Sequence, residues 1–189
     1  MPLVVAATEP ELCGRRGLVC GVGPVEAAVS VAAALERERP DAILHVGVAG
    51  ARRGSGVELL DLVVGSEAVY EDLPTSASLA PRIALPDTRL GEAALAALLA
   101  SGTRGRVSLP IGTSARVGGT STCGVEAMEG FAVLRAAALA GVPAVEVRVI
   151  SNLVDDPRSA WRLEEALSAL GEALPGLVAS IAAAVSAPS

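Results

Sequence analysis

The chain has 189 residues, 51% of them hydrophobic and 19% charged, a balance that excludes intrinsic disorder and suffices for one domain with a buried core. Its net charge is -6, all 15 cationic side chains are arginine, and only 2% of residues are aromatic. Such a chain lacks the clustered positive charge and stacking surfaces that nucleic acid requires.

Short Val- and Ile-rich runs alternate with Ala- and Leu-rich stretches of helical period. In chain order, the pattern predicts strands over 3–7 and 18–21, a helix over 25–38, and strands over 42–48 and 61–70. A helix over 90–99, strands over 107–111 and 125–128, a helix over 130–140 and a strand over 144–150 follow. Helices over 159–170 and 176–185 complete the series. Gly23-Pro24 suits a helix start, and Gly141 with Pro143 ends a helix and leads into a strand. Several strands are apolar with little alternation, as in sheets covered on both faces. The expected fold is α/β: one domain over 1–189, with a mixed, mostly parallel central sheet between two layers of helices. Loops are expected over 71–87 and 112–124, both long enough to serve a site.

Cys13, Cys20 and Cys123 are odd in number and show no metal-ligand spacing, which predicts free thiols in a reducing cytoplasm. No uncharged apolar run reaches the roughly 18–20 residues of a membrane span, and Met1-Pro2-Leu3 does not open a signal peptide. The expectation is a cytoplasmic protein with no metal, no organic cofactor and no membrane partner.

In open α/β sheets, ligands bind beyond the carboxyl ends of the strands. The residues there are Thr8-Glu9-Pro10-Glu11, Gly21-Val22-Gly23-Pro24, Gly47-Val48-Ala49-Gly50, Glu129-Gly130 and Ser151-Asn152. Three carboxylates, two glycine turns and an amide thus gather at one edge. Asn152 is the only Asn in a chain with no Gln. Each element also has a plain structural reading. Gly21–Pro24 is no dinucleotide fingerprint, because Glu26 takes the third glycine's place and Pro24 removes a donor. Glu129 suits a helix N-terminus, and Asn152 suits a turn. His45 reads as a core histidine, and Arg52-Arg53 as a solvated loop or an anion contact. Residue types and spacing reach a small-molecule α/β protein with an acidic site.

The segments Gly21–Ala28, Val46–Gly50, Val125–Gly130 and Val149–Asn152 occur in the order seen in the nucleoside phosphorylase and purine nucleosidase superfamily. The run Glu146–Val154, followed by Arg158 and Trp161, most resembles the futalosine hydrolases, relatives of the methylthioadenosine/S-adenosylhomocysteine nucleosidases. The resemblance extends from Ala6 to about Leu167. It implies hydrolysis of the N-glycosidic bond of a purine nucleoside. It also implies a general base at Glu11, with Glu9 as the alternative, and a ribose-binding carboxylate at Glu129 with Met128 against the sugar. Asn152 would hold the purine beside Ser151, Gly50 and Val48. Phe131 and Trp161 are the aromatic candidates over the base, Tyr70 one on the sugar side. The loop over 71–87 and Arg52/Arg53 are candidates for the surroundings of the 5′ tail. Family members assemble as dimers or larger rings, so a homo-oligomer is expected.

Adenine-cleaving relatives carry Asp where Asn152 stands. An amide offers a carbonyl acceptor and an NH2 donor together. It can accept from a protonated N7 while donating to O6, which suits hypoxanthine, the base of futalosine, better than adenine. Three other readings stand beside futalosine hydrolysis: a phosphorylase, a nucleosidase acting on adenine nucleosides or inosine, and a non-catalytic nucleoside-binding protein.

Overall fold

The computed structural model describes all residues except 74–78, 103–105, 119–121 and 188–189, so parts of both predicted loops lie outside the described residues. Strand β1 (Leu3–Ala6) leads through a 3-10 turn (Glu9–Leu12) to β2 (Leu18–Val19) and helix α1 (Pro24–Glu38). Then come β3 (Ile43–Ala51), β4 (Leu62–Tyr70), β5 (Ile83–Ala84), α2 (Thr88–Ala100) and β6 (Arg106–Thr113). The chain continues through β7 (Val125–Ala127), α3 (Gly130–Ala140) and β8 (Ala144–Leu153) to a 3-10 turn (Arg158–Ala160) and α4 (Leu163–Ser186).

The sheet is mixed. Strands pair in the order β2-β1-β3-β7-β6-β4-β5, and β8 pairs with both β3 and β4. The pairings β3–β8–β4–β6–β7–β3 therefore close on themselves. Inside the closure lies a cluster of Ala49, Val63, Ile111, Val125 and Ile150. Helices α2 and α4 cover one outer face, with Leu90, Leu98, Leu170, Leu174 and Ile181 packed on Leu44, Val64 and Val147. Helices α1 and α3 cover another, with Val31, Leu35, Val133 and Leu134 on Val5 and Ile43. Helices on both faces agree with the α/β expectation.

The differences from the expected elements have local causes. β3 and β8 run three residues further than predicted, because their pairing resumes beyond a bulge at Ala49/Gly50, setting Gly50 beside Asn152. That extension puts Gly50 and Asn152, expected just beyond the strand ends, inside the sheet. Strand β5, missed in the loop over 71–87, is only two residues long and pairs antiparallel with β4.

The two predicted C-terminal helices are one 24-residue helix that runs through Pro175. A proline in a helix interior costs about 3 kcal/mol. Burying Leu170, Leu174, Leu177 and Ile181, each fully enclosed, offsets it at roughly 1.5–3 kcal/mol per side chain. Joined in this way, α4 is long and apolar enough to cross a membrane, which the two-helix reading did not allow. Its apolar face lies in the core. Gly141 closes α3 at φ 70°, a left-handed conformation that glycine adopts without a side-chain clash.

Candidate active site

A cavity of about 430 Å³ opens where β1, β3, β7 and β8 end. At one end stand two carboxylates. Glu11 is 6% exposed, lies on the 3-10 turn after β1 and is held by three donors. Its Oε2 accepts from Thr8 N at 2.9 Å and Thr8 Oγ1 at 2.7 Å, and its Oε1 accepts from Val48 N at 3.0 Å. Thr8-x-x-Glu11 is thus a capping pair that aims the carboxylate as it ends the strand. Glu129, 3% exposed, sits at the N-terminus of α3. Its Oε1 accepts from Gly23 N at 3.0 Å, and its Oε2 lies 3.3 Å from Arg148 Nη2.

Arg148 is the cation that organises this end. It is 1% exposed, within β8. Its Nε donates to Glu146 Oε1 at 2.8 Å, and its Nη2 lies 3.0 Å from His45 Nε2. A guanidinium only donates, so His45 accepts through Nε2 and carries its proton on Nδ1, which faces Glu146 at 3.8 Å. Burial, reinforced by the Arg148 charge, holds His45 well below its ordinary pKa, so the ring is neutral. Burial pushes the Glu146 carboxyl up, against the opposing pull of Arg148. Burial also works against the Arg148 charge, but Glu146, Glu129 and Glu11 together outweigh it and raise that pKa. Cys20 is pushed up to about 11 by burial and then by Glu129, so it is a thiol at neutral pH.

Two glycines permit these contacts. A Cβ on Gly47 would collide with Arg148 Nη1 and stand 2.6 Å from Glu11 Oε1. One on Gly130 would run into the Glu146 carboxylate.

The other end of the cavity holds the amide. Asn152, 7% exposed, accepts from Ser151 Oγ at 2.9 Å through Oδ1 and donates from Nδ2 to the Leu153 carbonyl at 3.2 Å. These bonds orient the amide in the cavity wall. Gly50, Val48, Met128, Ser151 and Trp161 share the lining with Glu11, Glu129 and Asn152. Trp161 donates from Nε1 to the Asp156 carbonyl at 3.3 Å, and Arg158 lies 5.5 Å over its ring.

Other candidates fall outside. Glu9 is exposed, and only Glu11 reaches the cavity. Phe131 does not line the cavity; its ring stacks on Tyr70 at 5.1 Å, and both face a separate groove between α1 and α3. Residue 131 is in the first turn of α3, rotated away from the strand end that carries Met128 and Glu129. Arg52 and Arg53 are no free anion site: Arg52 Nη2 lies 3.9 Å from Glu126, and Arg53 Nη2 2.6 Å from Asp156. Cys123 Sγ donates to Glu71 Oε1 at 3.4 Å, away from the cavity lining.

The sequence reading did not assign roles to Glu146 and Arg148, and took His45 as a plain core residue. A signal was present. Glu146 and Arg148 are two charges two residues apart within an apolar strand, which turns both to one face. Buried charges survive only when paired, so such a pattern announces a partner set.

The closed sheet and a cavity bounded by paired carboxylates and an amide define an enzyme-like small-molecule site of the nucleoside-cleaving α/β type. A family model described as the phosphorylase superfamily matches residues 15–183. The chain is 38% identical over 185 residues to futalosine hydrolase of Streptomyces coelicolor, an alignment covering 83% of this chain and 75% of that protein. It is 33% identical over 182 residues to futalosine hydrolase of Thermus thermophilus, covering 86% and 80%. A solved futalosine hydrolase mutant of Helicobacter pylori superposes with a TM-score of 0.81 at 15% identity, covering 93% of this chain and 97% of that one. The chain belongs to the phosphorylase superfamily and, within it, to the futalosine hydrolases.

Proposed function

We propose that this protein hydrolyses the N-glycosidic bond of futalosine, giving hypoxanthine and dehypoxanthine futalosine on the route to menaquinone. The observation that carries the reading is the lining of the cavity: two buried, hydrogen-bonded carboxylates, Glu11 and Glu129, together with one amide, Asn152, oriented by Ser151. Glu11 acts as general base on a water at the anomeric carbon, a role that contributes typically 10²- to 10⁴-fold. Glu129 binds the ribose hydroxyls and supports the positive charge that develops on the sugar as the C–N bond breaks. Met128 packs on the ribose. Asn152, held by Ser151, accepts from the protonated N7 and donates to O6. The water oxygen ends on the anomeric carbon and keeps one proton as the new hydroxyl, while the other passes to Glu11 and on to solvent; the C–N electron pair leaves with the purine, which carries a proton taken up from solvent at N7.

Trp161, Val48 and Gly50 complete the lining around the nucleoside. Residues 1–189 act as one catalytic domain in the cytoplasm. A second copy packs on the groove of about 610 Å³ between α1 and α3, where Val25, Val29 and Leu139 are 71%, 66% and 72% exposed. The test is hypoxanthine release from futalosine with and without phosphate, beside inosine and methylthioadenosine. Phosphate-independent release from futalosine is the expected result. Preference for methylthioadenosine would overturn the role given to Asn152, and dependence on phosphate would make the protein a phosphorylase. Light scattering reports the assembly, and a monomer removes the groove's role.

A further inference from the structure

Beyond Asn152, a second side chain in the cavity wall has the chemistry to read a purine. Gly50 on β3 pairs with Glu126 on β7 at one side and with Asn152 on β8 at the other. Residues in one row across a sheet point to the same face. Glu126 and Asn152 therefore flank a position that carries no side chain, with their Cα atoms about 10 Å apart by the usual strand spacing. A Cβ on Gly50 would stand 3.0 Å from Asn152 Nδ2 and 3.3 Å from Val154 Cγ2. The glycine thus keeps a slot open between the amide and the carboxylate. Both line the cavity, and Glu126 is only 6% exposed.

A buried carboxylate on a ligand cavity is selective, because it accepts hydrogen bonds and cannot donate them. In a 6-oxopurine the ring nitrogen N1 carries a proton beside the O6 acceptor. In a 6-aminopurine N1 is a bare lone pair beside an amino donor. A carboxylate facing N1 attracts the first and repels the second. Arg52 Nη2, 3.9 Å from Glu126, balances the charge without lining the cavity.

We propose that Glu126 reads the base, its carboxylate accepting the N1–H of a 6-oxopurine held in the slot between it and Asn152. This rests on the nucleosidase reading above and names a second determinant of its base specificity. Sites built to hydrogen-bond a substrate group reject analogues lacking it far more strongly than apolar pockets reject a change of size.

Two measurements test the inference. In the first, base release is followed for futalosine and its 6-amino counterpart with the wild type and Glu126→Gln. A glutamine can turn either its carbonyl or its NH2 toward N1. The expected result is a fall of at least tenfold in the 6-oxo over 6-amino ratio of kcat/KM, and a ratio within twofold of wild type overturns the proposal. In the second, calorimetry on the wild-type protein compares hypoxanthine with 1-methylhypoxanthine. Binding at least tenfold weaker for the methylated base is expected, and equal binding overturns the proposal. This arm needs no variant to fold and no turnover. If the wild type released no base from futalosine, the reading of the reaction would fall, while the two affinities would still decide the role of Glu126.

Discussion

Arg148 and Glu129 meet at 3.3 Å just behind the lining of the cavity, with the guanidinium and carboxylate both nearly sealed from solvent. The same guanidinium grips Glu146 at 2.8 Å from behind, so one cation on β8 ties a carboxylate facing the cavity to one that lies wholly in the core. Glu146 Oε2 has no hydrogen-bond partner among the described residues, which makes that carboxylate dependent on Arg148.

Removing the cation alone therefore leaves buried negative charge uncompensated. Arg148→Met is expected to cost about 3–5 kcal/mol in urea unfolding and to abolish turnover. Replacing both partners, Glu146→Leu with Arg148→Met, recovers most of the stability but none of the activity. A single variant as stable as wild type would refute the network.

Glu11→Gln is expected to lower kcat by about 10²- to 10⁴-fold in hypoxanthine release, because an amide cannot take a proton from water. Glu9→Gln, on an exposed side chain outside the cavity, stays within about twofold. The reverse ranking would move the base to Glu9.

Gly47→Ala probes packing at the site without removing any functional group. Its methyl group would enter the space now held by Arg148 Nη1 and Glu11 Oε1. Displacing two oriented groups together is expected to reduce kcat at least tenfold, since misplacement of about 1 Å can cost about 10²-fold. Steady-state kinetics at saturating futalosine is the measurement, and an unchanged kcat would show that the two groups need not hold this geometry.

His45 predicts a pH effect on stability. Its folded pKa lies well below the ordinary value of 6.5, so the unfolded chain takes up the proton first as pH falls. Stability from this group is fully present above 6.5 and is lost on acidification toward the folded value, with a slope of at most about 1.4 kcal/mol per pH unit. Glu146 acts in the opposite sense. Its folded pKa is raised above 4.5, so its contribution is lost as pH rises through the folded value. The measurement is urea melts of wild type and His45→Gln at pH 6.5 and about 5.5. The variant should show the shallower loss, and identical slopes would contradict a buried neutral histidine.

Much of the site was visible as unusual residues at strand ends. Glu11, Glu129 and Asn152 stand out there because the local sequence, a capping pair, a helix start and a lone amide, already states how each is held. Phe131 was not placed by the same logic, because an aromatic ring three residues from Met128 can face either side of α3. Only the helix rotation chose Tyr70 as its neighbour. Pro175 misled in the other direction. Its local cost is certain, but the burial that outweighs it is contributed by residues far away in the chain.

Residue order by itself determined the alternation of strands and helices, the acidic character of the site and the lone amide in its wall. These depend on periodicity and on side-chain chemistry, which are local. Tertiary structure decided the rest. The bulge after Ala49 brought Gly50 level with Asn152, and the antiparallel partner β7 brought Glu126 to the same row. Strand pairing across 76 and 102 positions of chain joins them, and no local pattern encodes such a register. The assembly of His45, Glu146 and Arg148 behind Glu129 has the same origin: buried charges choose partners by proximity in the folded core, and that proximity exists only once the sheet has closed.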